Sequence, residues 1–280
     1  MKAAFGFGLV LAVVSISSFG QDNEVAPGVL LLGAIQSGEV TESSGVIPSR
    51  RARGIFWTHN DSGADTLYAL TADGAIVAQY KLKDTELQNW EDIASTPGRI
   101  YIADIGNNTG SRNSVDVHAV PEPNPKRSGE VRPVKHWKVN YPDEPFDAES
   151  FFVSRGYGYV IRKESGNAHV FRFRLSGRGT ERTLEEQCEL DLGAPAGGAD
   201  ITPDGKRLAV ITSAGAYLFS LPGRIPSDGT LEPVLFVPFT LDRMEGCAFT
   251  RDGLLVTAES GEILLFTDPQ FCLRSAAKLR

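Results

Sequence analysis

Acidic side chains recur along this 280-residue chain at a spacing that could gather them around a cation or a transferring proton. Glu42, Glu91, Glu149, Asp200 and Glu245 each open a segment of the same kind, an acid and then an apolar strand, and they lie 49, 58, 51 and 45 residues apart. A second set ends the following strand of each segment: Asp61, Asp104, Glu164 and Glu259, with Ser213 in the fourth place. Asn60, Asn107 and Asn108 stand beside the first two of these, and His59 precedes Asn60. Carboxylates drawn together repel, so they must protonate, accept backbone N–H bonds, pair with cations or bind metal. An all-oxygen set suits a hard cation, calcium above all. The predicted metal ligands are Glu42, Asp61, Glu91, Asp104, Asn107, Glu149, Asp200 and Glu245. The predicted catalytic groups are His59, Glu91 and Asp104, because an imidazole among carboxylates is suited to proton transfer near neutrality. The alternative is structural: each acid ties its own segment to the next through backbone N–H groups. Lys163 and Arg243 are placed to neutralise the acids or to hold an anionic substrate, while His118, His136 and His169 fall in strands where packing is the default.

Positioning these residues takes five copies of one four-stranded unit, since self-similarity at this period is the signature of a repeat architecture. Second strands are predicted at 54–58, 99–103, 157–161, 207–211 and 254–258, with hairpin turns such as Pro203-Asp204-Gly205-Lys206 and Arg251-Asp252-Gly253 before the last two. Third strands follow at 66–70, 114–120, 168–175, 216–221 and 262–266, and outer strands at 75–82, 134–139, 186–192 and 232–239. The fifth unit has almost no chain left for its outer strand, whereas residues 29–35 form an apolar strand left over before the first unit. Pairing 29–35 with 262–266 closes a ring and removes an open sheet edge. The prediction is therefore an all-β fold, a five-bladed β-propeller closed by an N-terminal strand, or six blades if residues 107–141 conceal a degenerate unit. In an antiparallel hairpin the start of the first strand and the end of the second share one edge. Both acidic sets then open on one mouth of the channel. The turns carrying Arg50, Arg51, Arg53, Arg99, Arg155, Lys206, Arg207 and Arg251 make the opposite face basic.

The runs Thr58-His59-Asn60-Asp61-Ser62-Gly63, Trp90-Glu91-Asp92-Ile93 and Ala103-Asp104-Ile105-Gly106-Asn107-Asn108 resemble a group of exported bacterial propeller proteins of undefined activity, over most of the mature chain. More remotely, the acidic opening of each unit is similar to calcium-dependent propeller enzymes, the gluconolactonase and paraoxonase families and the propeller phytases. That resemblance implies calcium at the mouth and hydrolysis of an ester, lactone or phosphoester. Those families usually have six blades, and five units are counted here.

Lys2, the apolar run 3–18 and the small residues Ser18 and Gly20 read as a signal peptide over 1–20, cleaved before Gln21, with one domain over 21–280. The expectation is an exported protein, periplasmic or secreted, with no membrane insertion after cleavage. A formal charge of −7, or −8 once Lys2 is lost, argues against nucleic acid as a partner. A small-molecule ligand or an extracytoplasmic protein is the expected partner. Cys188, Cys247 and Cys272 are too few for a disulfide scaffold and lack zinc spacing, and Cys247 with Cys272 is the expected pair if one forms. Zinc-protease, phosphate-loop, nucleophile-elbow and dinucleotide signatures are missing. Two function classes remain: a cation-dependent hydrolase, and a non-catalytic ligand- or protein-binding propeller.

Overall fold

The computed structural model describes residues 23–62 and 65–273, and over them the chain is all-β, with five sheets arranged as the blades of a propeller. The signal-peptide expectation and Gly63 lie outside the described residues. From the axis outward, blade 1 runs Ser43–Pro48, Ile55–Asn60, Thr66–Thr71 and Ile76–Leu82, and blade 2 runs Asp92–Thr96, Arg99–Asp104, Ser114–Pro121 and Lys135–Asn140. Blade 3 runs Ala148–Ser154, Tyr157–Arg162, Gly166–Arg174 and Glu185–Leu192, and blade 4 runs Ala196–Ile201, Arg207–Thr212, Gly215–Ser220 and Leu235–Pro238. Blade 5 is made of Met244–Phe249, Leu254–Ala258, Glu262–Phe266 and, from the N-terminal side, Val29–Ala34. Residues 107–141 hold the third and outer strands of blade 2, so there is no sixth unit. Inner strands are covered on both faces and are rich in small and apolar residues. Outer strands alternate, as Lys135–Asn140 does with Trp137 and Val139 turned inward.

Ring closure follows the expected pairing: Val29 lies opposite Phe266 and Ala34 opposite Glu262, antiparallel. A second device is added outside it. Gly129–Val131, Glu181–Thr183 and Thr230–Leu231 each leave the connection between third and outer strands of one blade and pair parallel with the outer strand of the preceding blade. Glu24–Ala26 covers the outer strand of blade 5. These strands are two or three residues long and largely exposed, too short to show a period in sequence.

The hydrophobic core lies between blades, as five clusters at five seams. Among the described residues the seams from blade 1–2 to blade 4–5 hold large side chains such as Trp57, Trp90, Trp137, Phe151, Phe219 and Phe249. The seam between blades 5 and 1 is the thinnest, with only Val46, Phe56, Leu70, Ala248, Leu255 and Ile263 buried. The expected Cys247–Cys272 disulfide is not formed. Cys247 is buried in the blade 4–5 seam and Cys272 Sγ donates to the Asp268 carbonyl.

The inner strands meet backbone to backbone around the axis. A Cβ on Gly198 would lie 2.1 Å from the Glu245 carbonyl oxygen, and one on Gly246 would lie 2.4 Å from the Ser44 carbonyl oxygen. Only glycine permits that approach. Asp92 occupies the matching position in blade 2. Its Oδ1 accepts the Ile93 N–H at 2.8 Å and its Oδ2 the Phe151 N–H at 2.9 Å. Asp92 thus joins blade 2 to the neighbouring blade 3, with burial holding its carboxyl well above the usual carboxylate range.

Candidate functional site at the acidic mouth

The mouth is built where the inner strands begin. In blades 3, 4 and 5 the register to the second strand shifts between Ala148 and Ser150, Ala196 and Gly198, and Met244 and Gly246. The skipped residues are Glu149, Gly197 and Glu245. A bulge takes one residue out of the ladder and re-aims its side chain. Glu91, just before Asp92–Thr96, takes the same place in blade 2, its N–H donating to the Ala103 carbonyl at 2.9 Å. Blade 1 has Ser44 there, whose Oγ donates to the Glu91 carbonyl at 2.5 Å. The inner ring is therefore three glutamates, one serine and one glycine.

Two residues earlier the chain shows the same face again, because extended backbone alternates with period two. Those positions are Glu42, Asn89, Asp147 and Arg243, with Pro195 in blade 4. The carbonyls of the first four accept an N–H from just beyond the second strand: Asp61 on Glu42 at 3.0 Å, Gly106 on Asn89 at 3.0 Å, Lys163 on Asp147 at 2.8 Å and Glu259 on Arg243 at 3.0 Å. Seven carboxylates thus share the mouth — Glu42, Asp61, Glu91, Asp147, Glu149, Glu245 and Glu259 — with Lys163 and Arg243 among them. Lys163 bonds Glu149 and lies 3.8 Å from Asp147, and Arg243 pairs with Glu259. Asn89 Nδ2 donates to Glu91 Oε1 at 2.6 Å.

Two cations do not compensate seven acids. Glu91 is 3% exposed, and burial, then the charges of Asp61, Glu149, Asp147 and Glu245, push its carboxyl up to about 10. Burial, then Glu259 and Glu149, push Glu245 up to about 9. Burial, then Glu42 and Glu259, raise Asp61 to about 6 against the pull of Lys163 and Arg243. Burial also raises Glu149 despite its bond to Lys163. Asp61 Oδ1 is buried and accepts no hydrogen bond among the described residues. At neutral pH Glu91 and Glu245 therefore keep their protons. Such a site can donate protons, or exchange them for a cation.

Several predicted residues stand elsewhere. Asp200 is not at the mouth. It lies three residues past the ring position, which is Gly197, and accepts the Ile201 and Phe249 N–H groups at 2.8 Å each, joining blade 4 to blade 5. It faces an underside cavity beside Arg50, and burial pushes it up to about 7. Asp104 is fully buried and accepts the Gln88 N–H at 3.1 Å, the Asn89 N–H at 2.8 Å and Arg112 Nη1 at 2.9 Å, so its oxygens clasp the loop before blade 2. Asn60 does the same in blade 1, taking the Thr41 and Glu42 N–H groups. Asn107 bonds Arg112 N and O, Tyr141 Oη and Asp147 Oδ1. Glu164 lies 3.4 Å from Arg162 and accepts the His169 N–H.

His59 does not open on the mouth either. It has no exposure, stacks on Trp90 with ring centroids 4.5 Å apart, and accepts the Gly45 N–H on Nε2 at 3.1 Å. Its Nδ1 therefore carries the proton and donates to the Asn60 carbonyl at 2.9 Å. Burial pushes its pKa down to about 4, despite that bond. A proton shuttle needs access to a titrating ring, and this ring is neutral and enclosed. Of the predicted set, Glu42, Asp61, Glu91, Glu149 and Glu245 are brought together.

Asp147 and Asn89 went unpredicted at the mouth, as did Asp92 on the axis. The pairs 89/91, 147/149 and 243/245, two apart before a buried strand, carry the signal that would have found the first two. Carboxylate oxygens suit calcium in kind. Yet among the described residues no group of three or more His, Cys, Asp or Glu side chains stands together as a set that could hold a metal ion.

No family model matches the chain, and no curated protein does. Solved structures resemble the chain at low identity. The chain is similar to hydrazine synthase of Kuenenia stuttgartiensis, at 15% identity and TM-score 0.41, over 81% of this chain and 59% of that one. It therefore spans about three fifths of that relative's length. It is also similar to a chain of a nidogen/laminin complex, at 12% identity and TM-score 0.44 over 78% and 73% of the two chains. A luciferin-regenerating enzyme matches at 10% identity and TM-score 0.43 over 86% and 95%.

Proposed function

We propose that the acidic mouth is a recognition site for a cationic ligand, on an exported propeller that acts by binding. The observation that carries this reading is the excess of carboxylates, two of which, Glu91 and Glu245, hold protons at neutral pH because burial, and then the neighbouring carboxylates, disfavour their charge. Calcium is the inorganic ligand that the sequence suggested. The oxygens of Asp61, Glu91, Glu149 and Glu245 suit it, but among the described residues they are not gathered as a chelating set. An ammonium or guanidinium group needs no such cage, since spaced carboxylates hold it through charge and hydrogen bonds. Blade 4 offers Pro195, Gly197 and Ser213 instead of charge, an uncharged sector for the carbon part of a ligand.

Calorimetric titration with spermidine, and separately with calcium chloride, tests this at pH 7.5 in two buffers of different ionisation heat. A cation arriving among protonated carboxyls lowers their pKa values and expels protons. The heat should therefore depend on the buffer, and Glu91→Gln with Glu245→Gln should remove that dependence. Calcium binding with spermidine inert would move the reading to a metal site. No binding of either would overturn it. A second reading rests on Glu91 alone: a carboxyl still protonated at neutral pH is a ready general acid. Turnover in an ester, lactone and phosphoester screen, lost in Glu91→Gln, would establish that reading.

A further inference from the structure

The basic underside has no part in the mouth, and its arginines fall into two groups. Arg50, Arg51, Arg155 and Arg207 end on carbonyl oxygens of a neighbouring blade or its connection: Ser95 at 3.3 Å, Glu122 at 2.9 Å, Gly223 at 2.5 Å and Cys272 at 3.0 Å. Arg53, Arg99 and Arg251 are exposed and have no side-chain hydrogen bond, ion pair or ring contact among the described residues, and of these Arg53 and Arg251 stand together. Both line one cavity of about 500 Å³ at the seam between blades 5 and 1. The walls of that cavity are Leu32, Ile55, Phe56, Leu255, Leu265 and Leu273, and its polar rim has Arg50, Arg53 and Arg251 against a single carboxylate, Asp252. This is also the seam whose core is thinnest. An apolar cleft that its own blades leave incompletely packed thus meets a pair of guanidiniums that no described residue holds.

We infer that this cleft binds a small amphipathic anion, an acyl or aryl carboxylate or phosphate, with its apolar body between the blades and its head on Arg53 and Arg251. Guanidinium donors match a planar carboxylate or a phosphate in a two-point fork. A cleft of this volume is in the range of small-molecule sites. Removing apolar ligand surface from water supplies affinity, and the arginine pair selects the sign of the head group. The site is separate from the mouth, since none of the mouth acids lines it.

Decanoate and decyltrimethylammonium, used below their micellar concentrations, have the same chain and opposite charge. Decanoate should bind once per chain and raise the melting temperature, and the ammonium should do neither. Arg53→Ala with Arg251→Ala, at two exposed positions without hydrogen bonds among the described residues, should fold normally and weaken decanoate about tenfold or more, the scale of a lost charge-assisted contact. Ala72→Phe, at the cleft wall, should block binding. If that variant fails to fold, the arginine pair still decides. Equal binding of the two amphiphiles, decanoate unaffected by the arginine changes, or no binding at all would overturn the inference.

Discussion

The two faces of the ring carry opposite charges, and the charges are satisfied in opposite ways. On the underside, most arginines close the fold. Arg51 reaches the Glu122 carbonyl of the next blade at 2.9 Å, and Arg155 reaches Gly223. Glu122 answers in kind, taking the Arg50 N–H at 2.9 Å and the Ser49 hydroxyl at 2.8 Å. At the mouth, by contrast, carboxylates face carboxylates. The cause is the inventory of the backbone. Strand ends and connections display spare carbonyls, which suit a guanidinium with five donors. A carboxylate needs donors, and at the mouth the strand-end N–H groups are already given to carbonyls, as Asp61 N–H is to Glu42. One repeat thus makes structural cations on one side and uncompensated anions on the other. The unsatisfied face is the one with capacity to bind.

The comparison breaks most severely at Asp104, an acid near the mouth held by two loop N–H groups and Arg112. Arg112→Met would leave its carboxylate buried without a cation, and should destabilise the fold by about 3–5 kcal/mol in urea unfolding. A loss under about 1 kcal/mol would mean that loop N–H groups alone satisfy Asp104. Next in size is Asp92→Ala, which strands the Ile93 and Phe151 N–H groups on the axis. It should cost about 2–3 kcal/mol, since an orphaned buried donor costs roughly 1–3 kcal/mol.

The pH dependence sharpens the contrast. Glu91, at about 10, and Glu245, at about 9, both lie above the ordinary glutamate value of 4.5. The folded state therefore binds more protons than the unfolded one between those limits, and stability falls as pH rises. It is fullest below pH 4.5 as far as these two groups are concerned, and is lost as pH passes through 9 to 10. Glu91→Gln with Glu245→Gln should flatten that decline and raise stability at pH 8 by roughly 1–3 kcal/mol, the scale of an unmet buried polar group. An unchanged slope in chemical unfolding between pH 6 and pH 9 would show that the mouth acids are compensated after all.

The fold was legible in the sequence because hairpin turns and apolar runs repeat. The expected outer strand 75–82 is observed as Ile76–Leu82, and the leftover strand 29–35 as Val29–Ala34. The site was only half legible, because its side chains are aimed by bulges of one residue. Aligning acid with acid put Asp200 where Gly197 stands, and placed Asp104 and Glu164 on faces one residue away from Asp61 and Lys163. In a strand one residue is the difference between the mouth and the interior. Bulges leave no hydrophobic signature when small buried residues such as Ala196 and Gly198 flank them. Nor could composition reveal that His59 is sealed against Trp90.

The smallest expected effect separates the faces by salt. Arg155 donates to a neutral carbonyl, so its bond involves charge and dipole at contact distance and is barely screened. Arg155→Ala should cost about 1 kcal/mol, and by the same amount in 0.1 M and 1 M sodium chloride. Repulsion among the mouth acids works over several ångströms through partly open space, where the screening length falls from about 10 Å to about 3 Å over that range. At pH 8 the unmodified protein should therefore gain several tenths of a kcal/mol in the higher salt, the scale of exposed charge pairs. An Asp61→Asn variant, which removes a mouth charge that is ionised at pH 8, should gain less, and the arginine variant as much as the unmodified protein. Equal salt gains in all three would place the screened repulsion elsewhere in this acidic chain, and the mouth would then differ from the underside only in sign.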